Sequence, residues 1–197
     1  MPLYNAEISA GSLMLLESKR LACLLLTSPD DAAWRHAIEV DNVLQKKTPA
    51  TARRQATLIR KRLTTLDAAA WSAISSRESE VAAQLLLAGA IKHSRLLGDF
   101  IRHVYAARQR QLEPALSATD WEDFLAECAH QDPAILTWST STQAKLREVI
   151  IRILTEAKYL ESTRSMKLSP RSLHPEVRRY LTERKETYVL DCLERAQ

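Results

Sequence analysis

Glycine is the residue whose scarcity most constrains this fold, because the 197-residue sequence contains only 3. Tight β-hairpin turns and glycine-rich phosphate loops need residues that adopt positive φ without strain. Ala, Leu, Arg and Glu are abundant instead, and these residues favour helices. With 46% apolar and 26% charged residues, the chain has the composition of a folded globular protein. We therefore predict an all-α, multi-helix bundle.

Helix starts are marked by Ser, Thr or Asp placed before Pro, or three residues before an acid or Gln, which is the pattern of N-caps. The signal Ser75-Ser76-Arg77-Glu78 is one example. The predicted helices cover approximately residues 12–26, 31–43, 48–66, 75–97, 99–111, 119–131, 133 onward, 140–158 and 175–195. Gly98 and Pro114 are the expected breaks. We place a boundary near residue 115, between an N-terminal helical domain (1–115) and a C-terminal module (116–197).

The strongest local signal is the segment from Lys46 to Arg62, which holds seven basic residues and no acid. At 100° per residue its apolar positions form one buried stripe and leave an exposed cationic face. The stripe comprises Ala52, Ala56, Ile59, Leu63 and Leu66. After helix 31–43 and a short turn, this segment resembles the second helix of a helix-turn-helix, which can enter a major groove.

The candidate nucleic-acid-binding residues of this helix are Lys46, Lys47, Arg53, Arg54, Arg60 and Lys61. We expect Arg53, Arg54 and Lys61 to contribute most, because they project away from the buried stripe. The alternative is a solvated cationic helix that faces water or an acidic partner protein.

A second helix repeats this pattern, since residues 140–154 can be aligned with residues 49–63. Lys145 then matches Arg54 and Arg152 matches Lys61, although Glu148 dilutes the charge. The buried stripe of this helix comprises Leu146, Val149, Ile150, Ile153 and Ala157. A short β-hairpin over residues 159–168 would complete the element order of a winged helix, with Arg164 and Lys167 on the wing. The alternative is a helical bundle with a connecting loop.

A third basic stretch covers residues 92–110 and adds Lys92 and Arg95 to the candidate nucleic-acid-binding residues. His93 and His103 are ten residues apart, which is not the i,i+4 spacing of a helical metal pair. We therefore expect structural or phosphate-facing roles for these histidines.

Signatures of enzymes, metals and membranes are missing from the sequence. No glycine-rich loop, nucleophile elbow or His-Glu-x-x-His pair occurs, so we predict a non-enzymatic protein without catalytic residues, cofactor, metal or small-molecule substrate. Cys23, Cys128 and Cys192 are far apart and indicate neither a disulfide framework nor a zinc site. No apolar run reaches the ~20 residues that span a bilayer, and no signal peptide is present, so we expect a cytoplasmic protein without a membrane partner.

Several stretches together resemble the BrxA family of the BREX phage-defence systems. They are residues 4–13, 42–52, 90–100 and 156–160, together with the helix start Pro175-Glu176-Val177. They follow the family order over nearly the whole chain. The resemblance implies a small helical protein, similar in part to the RNA-binding antitermination factor NusB. It also implies DNA binding beside larger BREX components, which include a methyltransferase, an ATPase and a phosphatase-like protein.

Two classes of function remain open at this point. The first is a double-stranded DNA-binding component that contacts mainly the phosphate backbone, which the charge of +4 and the basic faces favour. The second is a scaffold for other BREX proteins, or an RNA-binding subunit. Its motive is the placement of tryptophans near helix starts, at Trp34, Trp71, Trp121 and Trp138.

Overall fold

The computed structural model describes residues 2–76 and 79–196 and is all-helical, as predicted; no β-strand forms within those ranges. Its α-helices are α1 (Leu15–Leu26), α2 (Asp31–Glu39), α3 (Pro49–Leu63), α4 (Ala68–Ser76), α5 (Ser79–His93), α6 (Arg95–Asp99), α7 (Ala106–Arg110), α8 (Thr119–Gln131), α9 (Thr140–Glu156), α10 (Pro175–Glu183) and α11 (Thr187–Glu194). A π-helix (Phe100–Tyr105) joins α6 to α7, and 3₁₀ helices cover Glu7–Ala10 and Pro133–Thr137.

Side-chain caps hold the starts of α2 and α3 close to the positions that the sequence predicts. The side chain of Asp30 accepts a hydrogen bond from Ala33 N at 2.7 Å, and Thr48 accepts one from Thr51 N at 3.3 Å. Pro49 then occupies the first turn of α3, where its missing N–H costs nothing. The start signal at residues 75–78 falls partly on Arg77 and Glu78, which lie outside the described residues.

Helix α5 is the centre of the bundle, because every residue from 81 to 91 is buried. It packs against α1, α3, α4, α6, α10 and α11. A helix that is apolar on all sides must be covered on all sides. Its one buried amide, Gln84, donates to Ser172 O at 3.0 Å and accepts from His174 N at 2.8 Å, so the core leaves this polar group satisfied.

Aromatic contacts join the two halves of the chain into one hydrophobic core. The ring of Phe100 lies 5.9 Å from that of Trp121 and 5.2 Å from that of Phe124. The Tyr105 hydroxyl donates to Tyr159 O at 2.9 Å. Buried apolar residues therefore form a continuous cluster on both sides of residue 115. The division into 1–115 and 116–197 stays a prediction.

The expected break at Gly98 is wrong, and the chain breaks four residues earlier, at Ser94. The Ser94 hydroxyl accepts from Leu97 N and starts α6, so Gly98 lies inside a helix. A Cβ at Gly98 would lie 2.3 Å from the Tyr188 hydroxyl oxygen. Glycine is present here because α11 packs closely against α6, and not because the chain turns.

The expected single helix over 175–195 is also wrong, because α10 and α11 are separate helices. The chain turns at Lys185, whose φ of 57° is in the left-handed region that ends helices. Helix α4 was not predicted as a separate element, and α2 ends at Glu39 rather than near residue 43.

Residues 159–169 fold back on themselves after α9. Leu160 and Leu168 form an isolated antiparallel bridge, and Glu161 N donates to Lys167 O at 3.0 Å. A second isolated bridge joins Ala115 to Lys167. These bridges bring the two segments of the predicted hairpin together, and the winged-helix assignment itself stays a prediction.

Candidate nucleic-acid interface

The basic helix α3 buries the predicted stripe and exposes most of its charges. Ala52, Ala56, Ile59, Leu63 and Leu66 are all buried in the core. Arg53, Arg54 and Lys61 lie on the exposed side, as the helical period predicts.

Most cations of α3 and of the segment just before it are matched by carboxylates from other elements. Four ion pairs join Lys46 to Glu17 (2.5 Å), Arg53 to Glu39 (3.3 Å), Arg60 to Asp31 (3.3 Å) and Lys61 to Glu7 (2.8 Å). Arg60 also lies over the Trp34 ring, 4.5 Å from its centroid. The hydrogen bond from Lys61 lowers the pKa of Glu7, so this carboxylate stays charged at neutral pH. The face is therefore largely neutralised within the molecule.

Arg62 is a structural residue. It is 4% exposed, and its guanidinium donates to Ser12 O and to Gly11 O, at 2.5 and 2.8 Å. Burial lowers its pKa to about 10, despite the nearby charge of Glu156. It fastens the loop before α1 to α3 and is not available to a ligand.

Two cations of the α3 region remain available. Lys47 and Arg54 are exposed, and neither forms an ion pair with any residue that the structure describes. Arg54 lines an open groove of about 430 Å³ with Thr57 and Lys61, on the side of α3 that faces the first 3₁₀ helix.

Cations of the third basic stretch, residues 92–110, form ion pairs that connect elements of the fold. Lys92 forms an ion pair with Glu186, and Arg95 pairs with Asp99 at 2.9 Å while lying over the Tyr188 ring. Burial, followed by the charge of Arg62, lowers the pKa of His93, which keeps this imidazole neutral at pH 7. Among residues 2–76 and 79–196, no group of His, Cys, Asp or Glu is arranged to hold a metal ion.

Helix α9 and the turn that follows it form a second basic surface, which we call the α9 groove. It has a volume of about 410 Å³. Its lining residues are Ala144, Arg147, Glu148, Ile151, Arg152, Thr163, Arg164 and Met166. The predicted stripe of α9, from Leu146 to Ala157, is buried and fixes which side of the helix faces the groove.

One carboxylate and several cations set the charge of the α9 groove. Glu148 accepts hydrogen bonds from Lys145 at 2.9 Å and from Arg152 at 2.6 Å. The bond from Lys145 lowers the pKa of Glu148, which is therefore ionised at neutral pH. Arg147 and Arg164 have no carboxylate partner in the described part of the chain. Lys167 is exposed but is not among the residues that line the groove.

Arg147 is the residue of this surface that sequence reasoning missed. Around the helix axis it lies between the buried stripe of α9 and the cationic pair Lys145 and Arg152. The helical period therefore predicts neither a core position nor an outward-facing cation for this residue. Its Nη2 lies 3.8 Å from Met166 Sδ, across the groove. Only the fold-back of residues 161–166 brings these two side chains together.

These features define an all-α protein with two basic helix surfaces and a densely ion-paired exterior. No helix in the described ranges is long and apolar enough to cross a membrane. A family model described as BrxA matches residues 2–185. The chain belongs to the BrxA family.

Relatives of similar length support this assignment. A protein of Paramagnetospirillum magneticum (strain ATCC 700264 / AMB-1), named BREX protein BrxA, is 41% identical over 98% of this chain and 97% of its own. A protein of the same name from Escherichia coli O9:H4 (strain HS) is 33% identical, over 97% and 90% of the two chains. The crystal structure of an uncharacterized protein from Magnetospirillum magneticum superposes with a TM-score of 0.91, at 40% identity and 98% coverage of both chains.

Proposed function

We propose that this protein is a non-enzymatic, double-stranded DNA-binding component of a BREX defence system and that it acts in the cytoplasm. Membership of the BrxA family supports the place in a BREX system and makes other BREX proteins plausible partners. The observation that carries DNA binding is a set of fully or partly exposed cations without carboxylate partners among the described residues, on or just before α3 and at the α9 groove. They are Lys47, Arg54, Arg147 and Arg164.

Unmatched cations matter because their charge is available to phosphates. A cation already held by a carboxylate must give up that contact before it binds a phosphate, so it adds less to affinity. By this criterion, the sequence-derived candidates that contribute least are the paired ones: Lys46, Arg53, Arg60, Lys61, Lys92, Arg95, Lys145 and Arg152. Helix α3 and helix α9 each offer an exposed side to a major groove, which is wide enough to admit a helix.

The experiment that tests this function is a fluorescence anisotropy titration of a labelled 20-base-pair duplex with the purified protein at 50 mM salt. We expect saturable binding that is similar for unrelated sequences, because backbone contacts carry no sequence information. Absence of binding at this low salt would falsify the function. A structured RNA of equal length as competitor distinguishes DNA from RNA binding.

A scaffold role is supported by a separate observation. An apolar groove of about 240 Å³ lies between α8 and the second 3₁₀ helix, and its lining includes Trp121, Leu125 and Leu136. Leu136 is 74% exposed there. Trp34 and Trp121 are buried, so the large exposed apolar side chain of this groove is Leu136 and not a tryptophan. Nuclease-resistant recovery of BREX proteins with this chain, from its native host, together with no DNA binding by the purified protein, would favour the scaffold.

A further inference from the structure

We propose that the α9 groove holds one phosphodiester strand of duplex DNA between Arg147 on α9 and Arg164 on the turn 161–166. This inference rests on the proposed function and assigns the contact to a particular site. The groove is lined by these two cations, by Arg152 and Glu148, and by the apolar side chains of Ile151 and Met166.

The charge of the groove is the first argument. Arg147, Arg152 and Arg164 line it together with one carboxylate, Glu148, and Lys145 shares that carboxylate with Arg152. Four cations against one anion leave an excess of positive charge. The α3 region differs, because three cations of the helix and Lys46 just before it are each paired with a separate carboxylate.

The contacts of Arg147 are the second argument. Arg147 is a partly buried residue, and its Nη2 contacts the Met166 thioether, a weak acceptor, at 3.8 Å. A guanidinium binds phosphate oxygens through two parallel hydrogen bonds, which are far stronger than a contact with sulfur. On binding a phosphate, Arg147 would therefore exchange its weak contact with sulfur for strong hydrogen bonds.

The opposite wall of the groove is held in place before any ligand arrives. The Ser162 hydroxyl accepts from Ser165 N at 3.0 Å, and Met166 N donates to Ser162 O at 3.0 Å. Leu116 N also donates to Met166 O at 3.0 Å, which ties the end of the turn to the segment before α8. Arg164 thus projects from an ordered turn, and little entropy is lost in aligning it.

Helix α9 and the projecting turn favour duplex DNA over duplex RNA. The B-form major groove is about 12 Å wide and admits an α-helix, whereas the A-form major groove is too narrow and deep for one. If one DNA strand lies between α9 and the turn 161–166, then α9 itself lies in the major groove next to that strand. Structured RNA is accordingly expected to compete poorly.

The test is the double variant Arg147→Ala/Arg164→Ala in the full chain, titrated against the labelled 20-base-pair duplex. We expect an affinity loss of roughly tenfold or more at 50 mM salt, and a salt slope reduced by about two, one for each phosphate contact removed. Glu148→Gln removes the one carboxylate lining the groove and should tighten binding about threefold. Circular dichroism confirms that each variant is folded.

The matched control is Arg179→Ala/Lys185→Ala, which removes the same charge from exposed positions that form no ion pair within the described residues. It should bind within about twofold of the parent, since charge effects are screened beyond about 14 Å at 50 mM salt. If the parent binds and both double variants weaken binding equally, or neither does, the groove is not the site although the proposed function holds. A parent that binds no duplex overturns both. Preferential capture by structured RNA overturns the assignment to DNA.

Discussion

Leu112 follows the last of the consecutive helices from α6 to α7, and its backbone is in the left-handed region, with φ of 58°. Glu113 N donates to Arg108 O and Leu112 N to Gln109 O, each at 3.0 Å, which is the hydrogen-bond pattern of a Schellman ending. Glycine is the usual residue at this position, and a side chain there costs roughly 1 kcal/mol. Leu112 is 90% exposed and packs against little that could compensate.

Leu112→Gly should therefore raise the free energy of unfolding by about 0.5–1 kcal/mol. The same change at Leu16, which is 57% exposed within α1, should lower it by about 1 kcal/mol, because glycine is unfavourable inside a helix. Urea denaturation of the two variants and the parent measures both effects. If both variants changed the free energy of unfolding in the same direction, the left-handed helix ending at residue 112 would be contradicted.

Gly98 and Gly11 differ in what a side chain would meet at each position. A Cβ at Gly98 meets the Tyr188 hydroxyl oxygen at 2.3 Å, and that hydroxyl is held by donating to Asp99 Oδ1 at 2.8 Å. A Cβ at Gly11 meets the flexible end of Met14. Gly98→Ala should lower the free energy of unfolding by roughly 1–3 kcal/mol and Gly11→Ala by less than about 1 kcal/mol. Equal denaturation midpoints for the two variants would show that α11 moves away without cost.

At the scale of elements, the helices that sequence reasoning placed well are those with strong local signals. Helix α3 has a cap at Thr48, proline in its first turn and a regular apolar period, and its buried stripe matches the prediction at all five positions. Helix α8 begins and ends at the predicted residues. Such signals act over a few residues, so a single sequence displays them.

The errors concern features that depend on contacts distant in sequence. The chain turns at Lys185 without glycine, so no local signal separates α10 from α11. The carboxylates that neutralise α3 come from Glu7, Glu17, Asp31 and Glu39, in segments whose approach no helical period predicts. The sequence showed which side chains of α3 are exposed, but it could not show which of them are already paired.

Within α3, the pairing predicts a ranking of the cations. The triple variant Arg53→Ala/Arg54→Ala/Lys61→Ala should stay folded, with the free energy of unfolding changed by about 0.5 kcal/mol or less per residue. Its affinity for duplex DNA should fall, and Arg54→Ala alone should account for most of the loss. The reason is that Arg53 and Lys61 are held by Glu39 and Glu7, whereas Arg54 has no ion pair among the described residues.

Anisotropy titrations of the single variants test this ranking, with Arg53→Ala as the control of equal charge. A larger loss from Arg53→Ala than from Arg54→Ala would show that the pair with Glu39 opens readily when DNA binds.

At the scale of the whole molecule, the net charge of +4 understates what the surface can offer to a polyanion. Most carboxylates in the described ranges are engaged with cations, so α3 keeps unmatched positive charge at Arg54 and the α9 groove keeps it at Arg147 and Arg164. Binding by such surfaces is driven by release of counterions from the DNA, so its strength must depend steeply on salt. A protein whose basic faces are only solvated would show no such dependence.

The decisive measurement of phosphate-backbone binding is therefore the salt dependence of duplex affinity. With about six phosphates neutralised, the plot of log affinity against log salt concentration should be linear with a slope near −5. The parent protein should reach this slope on duplexes of unrelated sequence. A slope near zero, or no measurable binding at 50 mM salt, would contradict the account of this protein as a phosphate-contacting DNA binder.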